Sequence, residues 1–228
     1  MKLPYYTLIS ILTLTCMNLS RAQQNEVKKE KGTTTDHTVI VPPHVSASAK
    51  AAVQKLGDKI KVGDFMYGYN TMYDRYKKRQ EKLHGKQELQ NQILNAQNKM
   101  LKMGVTIESF NAEKPTGYFR VHPMIKPDVK AKLATGELKQ TKPGDEYYHW
   151  MIIVPTTQIW KFLDKNGKPP RYLKREQYQI AIAAETDLPG QEKWTFIGSL
   201  KEQQLRSLFP SLPQNIELPL QQNSEIKK

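Results

Sequence analysis

The spacing of apolar residues changes at Gly104, and this change limits the folds that the chain can adopt. Before Gly104, apolar residues recur every three or four positions, as they do on one face of an α-helix. After it, apolar runs alternate with polar residues or continue unbroken, which is typical of β-strands. Helices followed by strands, rather than alternating with them, indicate an α+β domain with a mostly antiparallel sheet.

The helical half predicts three amphipathic helices, near 47–61, 64–82 and 87–103. Ser46 and Ser48 are candidate N-caps of the first helix. The third ends in a basic turn followed by glycine, the residue that most easily takes the left-handed conformation of a helix stop. The residues that form the three apolar stripes are Ala49, Val53, Leu56 and Ile60; Phe65, Tyr69, Met72 and Tyr76; and Leu89, Ile93, Ala96, Met100 and Met103.

The strand half predicts a sheet of five or six strands and a short helix near 201–208. Tyr147 to Val154 is almost continuously apolar and ends at Pro155, which predicts a central strand buried on both faces. The other predicted strands are 105–110, 118–121, 158–163, 171–183 and 194–197. The expected fold is therefore three N-terminal helices packed on a curved, mostly antiparallel sheet.

The first 22 residues have the form of a secretory signal peptide. Lys2 gives a positive start, the next residues are apolar and uncharged, and Ser20-Arg21-Ala22 is a small-x-small cleavage pattern. A membrane anchor is the alternative, but the interrupted apolar run is marginal beside the ~20 apolar residues that a spanning helix needs. We expect cleavage after Ala22 and export to the periplasm or the medium.

Cys16 is the one cysteine of the chain, and it lies inside the predicted signal peptide. A lipoprotein attached through Cys16 is a second alternative, although Thr13 and Thr15 fit the lipid-attachment pattern poorly. Cleavage after Ala22 leaves a mature chain without disulfides, thiol nucleophiles or thiolate metal ligands. This composition suits a bacterial periplasm better than a small disulfide-bonded secreted domain.

The mature chain divides into one domain and two polar ends. Residues 23–45 are polar and end in prolines, which predicts a linker. The domain is expected at 46–209, with a surface insertion at about 123–146, where apolar residues are few and prolines recur. A proline-rich tail, 210–228, is expected to lie extended on the domain and then fray.

The chain is basic, with 35 Lys and Arg against 22 Asp and Glu, a net charge of +13. Loss of Lys2 and Arg21 with the signal peptide lowers it by two, to +11. Such a charge favours acidic partners. Export makes nucleic acid the least suitable of these and leaves an anionic envelope surface as an alternative to a plain solvated surface.

Asp74 and His149 are the candidate acid–base residues. Asp74 borders the apolar stripe of the second helix, and His149 lies in the predicted central strand. An acid–base pair would need burial that moves its pKa values towards neutrality, whereas Asp74 precedes a run of basic residues on a solvent-facing surface. No histidine spacing indicates a metal site, and no glycine-rich phosphate loop or serine hydrolase signature occurs, so neither metal nor cofactor is expected.

Aromatic residues are the candidates for ligand binding. Tyr67, Tyr73, Trp150 and Trp160 could line a pocket for a lipid, a sugar or a peptide. The alternative is an aromatic core between helices and sheet, which periodicity does not distinguish from a pocket. Tyr67 lies off the main stripe and is the most suitable of them to remain accessible.

Several phrases occur in the order found in one known family. Val62-Gly63-Asp64-Phe65 followed by Thr71-Met72-Tyr73 resembles the junction of the first two helices in nuclear transport factor 2-like (SnoaL-like) domains. The closer resemblance is to small secreted bacterial proteins of unknown function that share this fold. The phrases that carry it are His84-Gly85-Lys86, Met100-Leu101-Lys102-Met103-Gly104, Ile180-Ala181-Ile182-Ala183, Trp194-Thr195-Phe196-Ile197-Gly198 and the leucine-rich ending from Leu205 to Pro219.

This resemblance implies a cone, in which three helices wrap against a curved sheet and leave an apolar mouth. Cones of this kind serve enzymes, ligand-binding proteins and dimerisation modules, so the fold does not select a function. The expected function is non-enzymatic binding of an unknown small molecule or protein, with a homodimer through the sheet as an open possibility. Two alternatives stay open: a SnoaL-like enzyme acting by acid–base chemistry on a small apolar substrate, and a basic structural protein of the envelope.

Overall fold

The computed structural model describes residues 41–121, 149–164, 168–184, 190, 192–213 and 216–226. The predicted signal peptide, the linker up to residue 40 and the insertion at 123–146 lie outside these residues. The described helices are α1 (Pro43–Lys61), α2 (Phe65–Asn70), α3 (Asp74–His84), α4 (Lys86–Lys102) and α5 (Glu202–Leu208). The described strands are β1 (Val105–Ala112), β2 (Gly117–Val121), β3 (His149–Phe162), β4 (Arg171–Ala184), β5 (Thr195–Gly198) and β6 (Gln222–Ile226). The predicted α+β class is confirmed.

Two long strands, β3 and β4, form the centre of the sheet. They pair antiparallel over 14 residues each, from His149 opposite Ala184 to Phe162 opposite Arg171. On the side away from β4, β3 pairs with β2 near His149 and with β1 near Phe162. On the side away from β3, β4 pairs with β5 near Ala184 and with β6 near Arg171. Each end of the sheet therefore has its own outer strands, while β3 and β4 join the two ends.

The helix α1 covers one face of the sheet, here called the α1 face, at the end where β3 begins and β4 ends, and it reaches across this face to the last residues of β1. Val45, Ala49, Val53 and Leu56, four of its residues, are at most 3% exposed and pack with apolar residues of the sheet. The sheet residues of this core are Phe110, Ala112, Trp150, Ile152, Val154, Ala181 and Phe196. Burial of this apolar surface, at roughly 25 cal/mol per Å², is the main stabilising term for this end of the domain.

The start of α1 differs from the prediction. The helix begins at Pro43, four residues before position 47, because proline is well suited to the first turn, where its missing N–H has no partner to lose. Ser46 and Ser48 therefore lie inside the helix and do not cap it. Their hydroxyls instead bond to Tyr118 and Glu192.

Two features allow α1 to lie close to the outer strand β1: a glycine and a glutamine. A Cβ on Gly57 would lie 1.9 Å from a ring carbon of Phe110, so the helix can approach only because this residue is glycine. Gln54 donates from its amide nitrogen to the Phe110 carbonyl (2.9 Å) and accepts at its amide oxygen from the Ala112 N–H (2.8 Å). The side chain of Gln54 thus occupies the positions that a peptide group of a neighbouring strand would take.

The opposite face of the sheet is apolar at the same end. Ile153, Ile180 and Ile182 are fully buried there. The hydroxyl of Tyr178, also on this face, donates to the Leu200 carbonyl (2.6 Å), which places the start of the segment leading to α5 against it. The prediction that β3 begins as a strand buried on both faces is confirmed.

The predicted helix 64–82 is broken. Residues 71–73 lie between α2 and α3 and bond to β5: the Phe196 N–H donates to the Thr71 carbonyl (2.8 Å), and the Tyr73 N–H donates to the Phe196 carbonyl (2.9 Å). Periodicity predicted one helix, but the edge of β5 offered backbone partners that a continuous helix would have left unbonded.

The two strands predicted on either side of Pro155 are one strand. Proline has no N–H for a ladder, which normally excludes it from a central strand. Here β1 ends at Ala112, opposite Thr156, and β2 begins at Gly117, opposite Ile153. Pro155 lies at the gap between these two outer strands, where no ladder hydrogen bond is lost.

The tail 210–228 contains a strand that the sequence did not predict. β6 pairs antiparallel with the first residues of β4, from Tyr172 opposite Ile226 to Glu176 opposite Gln222. Its side chains are mostly exposed and polar. The position of β6 is determined by its backbone pairing with β4 and not by apolar periodicity.

A candidate cleft and a buried polar cluster

A cleft of about 340 Å³ opens where β3 begins and β4 ends. Aliphatic side chains from the end of β4 form one side, and ionisable side chains from three other elements surround them. The residues that line it are Tyr73, Asp74, His149, Ile182, Ala183, Ala184, Lys193 and Thr195. The cleft thus combines apolar surface with several groups that can form hydrogen bonds.

Tyr73 is fixed in the cleft by the backbone pairing of residues 71–73 with β5. Its ring centroid lies 6.4 Å from that of His149, in an edge-on arrangement, and 5.4 Å from that of Phe209. The side chain is 7% exposed. Burial raises the pKa of Tyr73 to about 12, so the phenol stays protonated at neutral pH and can donate a hydrogen bond.

Asp74, the first residue of α3, lies at the rim of the same cleft. Its side chain is 71% exposed, and its carboxylate is 2.6 Å from Lys78 Nζ. The hydrogen bond that Lys78 donates to this carboxylate raises the pKa of Lys78. The structure therefore brings the predicted pair Asp74 and His149 to one cleft but leaves Asp74 in solvent, without the desolvation that adapts a carboxylate to acid–base chemistry.

The four aromatic candidates for ligand binding do not lie together in the structure. Tyr73 lines the cleft. Trp150, 5% exposed, belongs to the core beneath α1, and Tyr67 packs half-buried against that core with Lys59 Nζ 5.9 Å from its ring centroid. Trp160, 6% exposed, lies towards the other end of β3.

Trp160 belongs to a buried polar cluster that the sequence did not reveal. Thr156, Gln158 and Trp160 continue along β3 on the α1 face, since they alternate in phase with Val154. Arg175 stands directly opposite Gln158 on β4. Thr156, Gln158 and Arg175 are 1%, 8% and 5% exposed, so they are as buried as the apolar residues before them. The sequence contained one indication of this cluster. If Pro155 lies inside the strand, the alternate positions on the α1 face are apolar up to Val154 and polar at Thr156 and Gln158.

Arg175 is the most costly member of this cluster. Its guanidinium carbon is 5.9 Å from the Trp160 ring centroid, and no carboxylate among the described residues forms an ion pair with it. Burial lowers the pKa of Arg175 from 12.5 to about 10. Such a shift corresponds to a destabilisation of about 3 kcal/mol at neutral pH, where the group is still charged.

A buried carboxylate joins the first turns of α1 to the segment before β5. The Glu192 side chain is 1% exposed, its Oε2 accepts from Ser48 Oγ (3.1 Å), and its Oε1 is 3.9 Å from His44 Nε2. Trp194 Nε1 donates to Ser48 Oγ (2.8 Å). A negative charge beside a helix N-terminus is stabilising. Because Ser48 donates to Glu192 and not to His44, the cluster is a structural clamp rather than a nucleophile–base relay.

Within the described ranges, no group of three or more His, Cys, Asp or Glu residues could hold a metal ion. None of the helices in those ranges is both long enough and apolar enough to cross a bilayer.

Comparison of the chain with protein-family models, with curated proteins and with solved structures gives no match.

Proposed function

We propose that the chain is an exported, non-enzymatic binding domain of the nuclear transport factor 2-like type, and that a small molecule occupies the cleft beside Tyr73. The cleft is the observation that carries this proposal. Its volume of about 340 Å³ is within the range of small-ligand sites, roughly 300–1,000 Å³.

The order of elements supports the nuclear transport factor 2-like type. Three helical units precede the sheet: α1, the interrupted helix α2–α3, and α4. The first of these packs on one face of an antiparallel sheet built on two long strands. In the proposed cone, the helices and the sheet would enclose the α1 face.

The lining of the cleft defines the ligand class. Ile182, Ala183 and Ala184 offer an aliphatic surface, which favours a ligand with an apolar body. The protonated hydroxyl of Tyr73 supplies a donor, and Lys193 adds a positive charge. A small apolar molecule with one hydrogen-bond acceptor, such as a carbonyl or a carboxylate, matches this set.

Two features support binding rather than turnover. Asp74 is exposed at the rim of the cleft, and its carboxylate is engaged in an ion pair with Lys78. Tyr73 holds its proton up to about pH 12, so its phenolate is not available as a base at neutral pH. The acid–base enzyme therefore stays the second candidate.

Several basic side chains of α3 are engaged inside the domain. Arg75 donates to the Leu208 carbonyl (2.7 Å), and Arg79 donates to Ser207 (2.9 Å). Lys77 Nζ lies 4.1 Å from the Tyr69 ring centroid. These contacts support a structural use of part of the positive charge, in preference to a role as an envelope-binding surface.

Native mass spectrometry of the protein recovered from the extracellular or periplasmic fraction of producing cells tests the proposal. We expect a polypeptide that begins at Gln23 and carries a reproducible small-molecule adduct. The mass also reports whether the protein is a monomer or a homodimer.

A pair of matched variants locates the adduct. Ala184→Trp fills the cleft from an exposed position, so the adduct should be lost while the protein stays folded. Ala51→Trp makes the same change on the exposed side of α1 and should retain it. An adduct that survives in Ala184→Trp, or a bare mass in all three proteins, contradicts ligand binding in the cleft.

A further inference from the structure

The α1 face changes character along β3 and β4. Trp150, Ile152 and Val154 are apolar and are covered by α1, whereas the next two positions of the same phase are Thr156 and Gln158. Arg175 faces Gln158 across the ladder. Cβ atoms of directly opposite residues lie about 5 Å apart, and those of alternate or diagonal neighbours about 7 Å apart, so these three side chains are neighbours on one surface.

The group presents donors. Gln158 Oε1 accepts from Trp160 Nε1 (2.9 Å), so its acceptor is used and its amide NH₂ remains to donate. The hydroxyl of Thr156 makes no hydrogen bond within the described residues, although it is buried. Arg175 contributes a planar guanidinium with five N–H groups and no acceptor.

The acidic residues nearest to Arg175 along the chain are committed elsewhere. Glu176, the next residue, accepts from Lys174 (2.8 Å) and from Gln222. Glu225 on β6 pairs with Arg171 (2.8 Å). A buried cation without a counter-charge and a buried hydroxyl without a partner are both unfavourable, and each is relieved by an anion with several acceptor atoms.

We infer that Thr156, Gln158 and Arg175 bind an oxyanion, the carboxylate or phosphate group of a small organic molecule. The guanidinium binds two oxygens side by side, as it does with carboxylates and phosphates in general. The hydroxyl of Thr156 and the amide of Gln158 donate to the remaining lone pairs. The indole of Trp160 supplies an apolar surface for the organic part of the molecule.

This site is separate from the cleft beside Tyr73. Arg175 and Ala183 are eight residues apart on β4, a distance of about 26 Å at the rise of a strand. The cleft is lined mainly by residues of the opposite face, such as Ile182, whereas Arg175 lies on the α1 face. The anion site therefore does not depend on the proposed function and can be tested independently of it.

Isothermal titration calorimetry of the full mature chain with three probes tests the inference. The probes are inorganic phosphate, acetate and octanoate. Preferential binding of phosphate identifies a phosphoryl ligand, and binding of octanoate more tightly than acetate identifies a carboxylate with an apolar tail against Trp160. Absence of binding by all three overturns the inference.

Matched variants assign the binding to Arg175. Arg175→Met should weaken the probe that binds by roughly 10- to 100-fold, the ratio expected for loss of hydrogen bonds to a charged group. Arg171→Met makes the same change at an exposed position of the same strand and should leave the affinity unchanged. Equal affinities in the two variants would overturn the assignment.

A second variant keeps the test decisive if Arg175→Met does not fold. Thr156→Val keeps the shape of the side chain and removes the hydroxyl, and it should weaken the same probe by roughly 2- to 10-fold. Thr157→Val, on the opposite face, should not. An unchanged affinity in Thr156→Val would remove Thr156 from the site and contradict the proposed donor set.

Discussion

The two ends of the α1 face differ although the same two strands build them. At the end covered by α1, β3 and β4 present Trp150, Ile152 and Ala181, which contribute apolar surface and no buried charge. Six to eight residues along, they present Gln158 and Arg175 at the same degree of burial. The first end stabilises the domain, and the second reduces its stability. Buried ionisable groups with strongly shifted pKa values cluster at functional sites, and this is why the comparison directs attention to Arg175.

The largest effect is expected from breaking the apolar end. Ile152→Ala removes a fully buried side chain beneath α1 and should lower the free energy of unfolding by about 2–5 kcal/mol. Urea denaturation measures it. Val62→Ala, at a position 78% exposed, is the control and should change stability by less than about 0.5 kcal/mol. Similar values for the two variants would mean that this end does not form a packed core.

The polar end should respond in the opposite direction. Arg175→Met removes a buried cation and should raise the free energy of unfolding of the ligand-free protein by about 3 kcal/mol at pH 7. The folded-state pKa is below the unfolded value, so this destabilisation is fully present below about pH 10 and declines as the pH rises towards 12.5. Urea denaturation of the variant and of Arg171→Met makes the comparison. A loss of stability in Arg175→Met would show that the guanidinium has a counter-charge.

A smaller gain is expected from the neighbouring hydroxyl. Thr156→Val replaces a buried hydroxyl, which has no hydrogen-bond partner among the described residues, with a methyl group and should raise the free energy of unfolding by about 1 kcal/mol. Thermal denaturation of Thr156→Val beside the wild type detects it. Thr157→Val, half-buried on the other face, is the control. A decrease in stability at position 156 would indicate that the hydroxyl is hydrogen-bonded.

The smallest effect on stability at neutral pH is expected for the buried tyrosines. Their side chains are uncharged at this pH, whereas Arg175 is charged. Burial raises the pKa of Tyr73 and of Tyr178 to about 12. Because the folded pKa is above the unfolded value of 10, their contribution to stability is complete below pH 10 and is lost between about pH 10 and 12. Near-ultraviolet titration should show late-ionising tyrosines, and Tyr73→Phe should remove one of them without changing stability at pH 7. Ionisation of Tyr73 near pH 10 would contradict its burial.

Most helices and strands could be predicted because their periodicity is local. The helix from Lys86 to Lys102 ends one residue from the predicted position, and Gly104 follows it with a φ of +66°, as a left-handed stop requires. The strand β4 was predicted to within one residue. In such segments, the apolar pattern and the ends of the element agree, and distant contacts add little.

The failures have a common cause, which is pairing with a distant strand. Residues 71–73 leave the helix because they bond to Phe196. Pro155 is tolerated because two outer strands end beside it, and β6 is a strand because β4 has a free edge. None of these partners can be identified from a local window, so periodicity could not predict them.

The sequence located the cleft better than the polar cluster. Tyr73, Asp74 and His149 were singled out from their types and positions, and they line one cleft. Arg175 was not, because a basic residue in a strand is normally exposed, and its burial here depends on tertiary packing that a local stretch of sequence does not show. The candidate roles of these residues stay predictions until a ligand is found.

Two of the outer strands, β1 and β5, have part of their outer edge already hydrogen-bonded within the chain. The amide of Gln54 occupies part of the outer edge of β1, and residues 71–73 occupy part of the outer edge of β5. An open strand edge is the usual starting point for one sheet to extend into another molecule. At high protein concentration, these stretches of edge cannot pair with a second copy, because their backbone groups already have partners within the chain. One glutamine and a three-residue break in a helix therefore impede growth of the sheet from copy to copy.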